Sequence, residues 1–111
     1  MGGEPLEVFE ACGWTVLVLP SCARRDLYEL RLGVALPPAL RERLRERGEL
    51  TGNDVLWVLD VPGRHRVTIA RATGRIVVLP RMEPTRAQQR ADVVDLVSWL
   101  RGALDGPSAA R

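Results

Sequence analysis

Several strand-like segments of this chain are apolar on both faces, and that constrains the fold more than any other feature. Side chains alternate across a strand, so each segment reports two surfaces. In residues 14–20, Trp14, Val16 and Val18 point one way and Leu17 and Leu19 the other. In 54–61, Val55, Trp57, Leu59 and Val61 oppose Leu56 and Val58. In 64–81, a hairpin about Thr73 and Gly74 puts Val67, Ile69, Ile76 and Val78 on one face. Thr68, Ala70, Val77 and Leu79 share the other, flanked by Arg66, Arg75 and Arg81. Antiparallel sheets normally wet one face. A sheet dry on both needs two covers, and a chain of 111 residues has material for one core. A second copy is the commonest source of the missing cover.

The remaining elements follow from punctuation and periodicity. Residues 26–36 read as a half-buried strand, with Tyr28, Leu30, Leu32 and Val34 alternating with Glu29, Arg31 and Gly33. Residues 4–12 read as a short helix with Leu6, Phe9 and Cys12 inward, and Ser21, Arg24 and Arg25 as a polar turn. Pro37 and Pro38 open a short helix over 38–47, with Leu40 and Leu44 inward and Gly48 as its stop. Thr85 with Gln88 forms a capping-box pattern, and Gly106-Pro107 is a stop signal. Between them, Val93, Leu96, Val97, Leu100, Ala103 and Leu104 fall in one arc of about 120° at 100° per residue. Trp99 lies at the margin of that arc, and Asp92, Asp95, Ser98 and Asp105 outside it. The pattern predicts one α+β domain over 1–106: about five mainly antiparallel strands, a short central helix and a long C-terminal helix, paired as a dimer. A disordered tail is expected over 107–111.

Chemistry is harder to find. All sixteen basic residues are Arg, which rules out Schiff-base and P-loop lysines. His65 is the only histidine, set between Arg64 and Arg66, and reads as a surface residue at a turn. Cys12 and Cys22 form no CxxC pair, so a four-ligand zinc set is not assembled and both read as reduced thiols. Asp92 and Asp95 read as the wet face of a helix, and Ser21-Cys22 lacks a nucleophile-elbow context. The expectation is therefore no enzyme, no cofactor and no metal. No apolar run reaches the ~20 residues of a membrane span. The acidic amino terminus, with Glu4, Glu7 and Glu10, lacks a leader's basic region, so a cytoplasmic protein is expected.

Charge is uneven. Residues 1–60 carry seven Arg against ten acids, and 61–111 carry nine Arg against four. The basic half suits an anionic contact without approaching a dedicated nucleic-acid binder. Trp14 and Trp57 read as core residues; Trp99 reads as a contact residue. The candidate binding set is thus Arg66, Arg75, Arg81, Trp99, Val77 and Leu79.

Gly33, Leu36, Pro37, Leu40, Arg41 and Leu44, followed by Gly52, Asp54, Val55 and a hairpin, carry a partial likeness. Over residues 33–69 the chain resembles the SpoVT/AbrB-type swapped-hairpin family. The resemblance implies an intertwined dimer that binds DNA or acts as an antitoxin. Val34 stands where that family has a basic residue, and five extra residues separate Leu44 from Leu50. The residues themselves point first to a non-catalytic homodimeric binding module for a peptide or protein, of adaptor or chaperone type. A DNA-binding regulator or antitoxin is the alternative.

Overall fold

The computed structural model describes residues 6–22, 25–80 and 85–109, the side chains of 21–22, 25 and 106–109 excepted. The expected turn residue Arg24 and the candidate contact Arg81 lie outside the described residues. The elements are β1 (Glu7–Ala11), β2 (Trp14–Cys22), β3 (Arg25–Arg31), α1 (Ala39–Leu44), β4 (Glu49–Gly52), β5 (Leu56–Val61), β6 (His65–Ala70), β7 (Arg75–Pro80) and α2 (Arg86–Ala109).

All strands join one antiparallel sheet of seven, in the order β1-β2-β3-β7-β6-β5-β4. Two meanders meet at its middle, where the last strand, β7, lies beside β3. The α+β class and the long C-terminal helix are as the sequence predicts, but the sheet has seven strands rather than about five.

The two extra strands come from short segments. Residues 7–11 form a strand and not a helix, because Cys12 and Gly13 both take positive φ (53° and 83°) and fold them back on β2. That is the backbone of a two-residue hairpin turn, whose twist matches its strands. β4 is four residues long and turns into β5 at Asn53, whose Oδ1 accepts the amides of Val55 and Leu56 at 2.8 and 2.9 Å. This Asx turn replaces the ladder where the chain reverses.

The core lies on one face. Val16 and Val18 of β2, Tyr28 and Leu30 of β3, Trp57 and Leu59 of β5, Val67 and Ile69 of β6, and Ile76 and Val78 of β7 are buried there. Leu36, Leu40 and Leu44, around α1, join the same cluster as Val93, Leu96, Val97, Leu100 and Ala103 of α2. Both helices therefore pack on one side of the sheet.

Helix α2 begins as the capping pattern requires: the Gln88 amide donates to Thr85 Oγ1 at 3.1 Å. The Gln88 side chain accepts from that same hydroxyl at 3.2 Å. The helix then runs to Ala109, beyond the expected stop at Gly106-Pro107.

Arginines strap α2 to the first three strands. Arg86 reaches Asp26 at 3.0 Å, Arg90 reaches Glu7 at 2.7 Å, and Arg90 and Arg101 stack over Phe9 and Trp14. Such pairs cover ring faces while leaving the cations wet.

Candidate protein-interaction face

Strand alternation leaves a second surface, and among the described residues no element of the chain covers it. Cross-strand partners share a face. Val8, Leu17, Glu29, Val77, Thr68, Val58 and Thr51 consequently form one unbroken row across all seven strands. On one side of it runs Arg31, Arg75, Ala70 and Leu56, and the Glu10–Thr15 pair of β1 and β2 lies in line beyond Arg31. On the other side lie Leu19 paired with Leu27, and Leu79, Arg66, Asp60 and Glu49 in sequence. Val8 is 51% exposed; Leu17, Leu19, Leu27, Val58, Val77 and Leu79 are half-buried.

Four of the residues expected to bind are brought together here. Arg66, Arg75, Val77 and Leu79 all stand on this open face. Trp99 does not: it is on α2, half-buried against the core, with the Arg47 guanidinium 5.1 Å from its ring centre. Its marginal position in the helical arc is filled by intramolecular packing.

At the centre of the open face is a group that sequence reasoning passed over. Glu29 is only 1% exposed, and its Oε2 accepts the Nε–H groups of Arg31 at 2.7 Å and Arg75 at 2.8 Å. Burial works against its ionised form. The hydrogen bonds and charges of Arg75 and Arg31 outweigh that and hold the carboxyl below the usual range. Glu29 in turn pushes the Arg75 guanidinium up. The other oxygen, Oε1, is buried without a partner. One carboxylate thus carries two arginines whose side chains are 63% and 59% exposed. In the sequence, Glu29 looks like an ordinary wet residue of an alternating strand; only the β3–β7 pairing supplies the second arginine.

A second polar cluster sits on the helix side. His65 is buried, not at the surface, and its Nδ1 lies 2.6 Å from Asp92 Oδ2. Asp92 also pairs with Arg64, and Asp95 with Arg64 and Arg47, both at 3.3 Å. Burial opposes the charge of Arg64, but the two aspartates raise its pKa. Asp92 is therefore a partner of a buried imidazole and not part of a wet helix face. His65 Nε2 is also buried, and no hydrogen bond reaches it. Its side chain is fully enclosed, and the residue borders the open hollow of about 500 Å3 that Arg64 and Arg66 also line.

Among the described residues, no three His, Cys, Asp or Glu side chains gather as a metal site. Among the described residues, no helix is long and apolar enough to cross a membrane. No protein-family model, curated protein or solved structure matches the chain.

Proposed function

We propose that the protein is a non-catalytic, homodimeric binding module for a peptide or protein partner, of the adaptor or chaperone kind. One observation carries this reading: both helices lie on one side of the sheet, and the other side presents apolar residues from β1 to β5 around a paired arginine cluster. A monomer rarely leaves so continuous an apolar surface to water. At roughly 25 cal/mol per Å2, covering a few hundred Å2 contributes several kcal/mol before association costs. Arg66, Arg75 and Arg31 on the same face favour acidic groups in whatever docks there.

The test is affinity capture with the native protein beside a Leu79→Asp variant, with the mass of each measured by light scattering. A dimer of the native chain, and a partner captured by it but lost in the variant, support the reading. A monomer that captures nothing beyond what the variant captures would refute it. Titration with random duplex DNA separates the regulator alternative, since affinity that falls steeply with salt marks phosphate contacts.

A further inference from the structure

The open face is not uniform. Its apolar side chains concentrate on β1, β2, β3 and β7, as Val8, Leu17, Leu19, Leu27, Val77 and Leu79. Toward the β4 edge polar side chains prevail, with Arg66, Thr68, Asp60, Thr51 and Glu49 around Ala70, Leu56 and Val58. A cover centred on the sheet would press the cross-strand neighbours Arg66 and Asp60 against leucines and desolvate both charges. A cover over the first four strands in spatial order would not.

The charges on that half complement each other under a twofold axis. Glu10 of β1 and Arg75 of β7 lie in the same cross-strand row, three strand spacings apart. At ~4.8 Å per spacing they stand about 14 Å from each other, too far to pair within one chain. Glu10 accepts a hydrogen bond from Thr15 Oγ1 at 2.8 Å and is exposed. Arg75 spends its Nε on Glu29 and remains more than half exposed.

We propose, resting on the homodimer reading above, that a second copy sits off-centre on this face, about an axis running along the strands between β2 and β3. Glu10 of each copy then meets Arg75 of the other. Val8 meets Val77, Leu19 meets Leu27, and Leu17 lies over the shielded Glu29. The sheets stack as in an aligned sandwich, ~10 Å apart. Four strands of about five residues give roughly 300–400 Å2 of projected contact per copy, less than the ~800 Å2 per partner of a standard interface. The dimer is consequently reversible, and the polar half of the face and the β4 edge stay free for another protein.

The test uses the full chain with Cys12→Ser and Cys22→Ser, and two double variants. Val8→Cys with Val77→Cys reports the off-centre register, because within one chain the two sites are separated by β2 and β3. Across sheets ~10 Å apart a short bismaleimide joins the two sites, and only a link between copies doubles the mass of the denatured chain. Val8→Cys with Thr51→Cys reports a centred pairing. Circular dichroism checks that each variant folds. The expected result is a dimer by sedimentation at about 100 μM, a covalent dimer from the first variant and none from the second, and a dissociation constant raised tenfold or more by Glu10→Arg. A dimer that cross-links through Thr51, or that is indifferent to Glu10→Arg, overturns this register and leaves the homodimer reading standing. A monomer at that concentration overturns both.

Discussion

Arg31 and Arg75 stand directly opposite each other in the β3–β7 pairing, and Glu29 binds both. Like charges in cross-strand register repel. The carboxylate between them converts a repulsive pair into a network with one net positive charge, built on the otherwise apolar face. It also fixes which face of β3 is uncovered, since Tyr28 and Leu30 point into the core on the other side.

Glu29→Gln is expected to lower the free energy of unfolding by about 2 kcal/mol, because it leaves two opposed cations and removes the acceptor that holds them. Arg31→Gln leaves the Glu29–Arg75 bond in place and is expected to cost less than half as much. Urea unfolding with unchanged slope is the measurement. Equal effects of the two substitutions would show that the network does not act as described.

The depressed pKa of Glu29 sets a pH dependence. A carboxyl lower in the folded state contributes stability that is fully present above its unfolded value and is lost as pH falls through the folded one. Stability is therefore expected to decline below the ordinary carboxylate range, starting near pH 4. The decline should be shallower in Glu29→Gln. A parallel acid-unfolding profile for the variant would assign the loss to other carboxylates.

Two glycines should respond in opposite directions to alanine. Gly74 has φ 73°, and a Cβ there would meet the Val34 carbonyl oxygen at 2.4 Å. Gly74→Ala is expected to destabilise by more than about 1 kcal/mol. Gly102 is helical, with nothing within 4 Å of an added Cβ. Gly102→Ala is expected to stabilise by about 0.5–1 kcal/mol. Thermal midpoints read both shifts.

Surface and core roles separate by paired readouts. Leu79→Asp on the open face is expected to change stability by less than about 1 kcal/mol while reducing self-association. Trp99→Ala, which removes a ring packed between the core and Arg47, is expected to cost about 2 kcal/mol and leave the oligomeric mass unchanged. Denaturation and sedimentation on the same samples distinguish these results from their converse.

Much of the fold was legible because its signals are local. The leucines of α1 and the inward arc of α2 follow helical spacing, and both bury the residues that spacing selects. The facial partition of β2, β6 and β7 also follows from alternation alone. Residues 6–11, with Leu6 and Phe9 three apart, fit a helical turn as well as a strand. Their state was settled by the positive φ of Cys12, which is not a residue type that announces such a turn.

The sequence by itself determined which side chains share a strand face, where α2 begins, and that apolar surface exists on both sides of the sheet. Those are consequences of backbone periodicity, which each segment carries within itself. Only the tertiary structure decided that both helices fall on one side, that β7 inserts beside β3, and that Glu29 is buried between two arginines. It also enclosed His65 against Asp92. These depend on which strands become neighbours. Alternation gives the parity of a residue within its own strand and holds no information about the strand 46 positions away that supplies its partner.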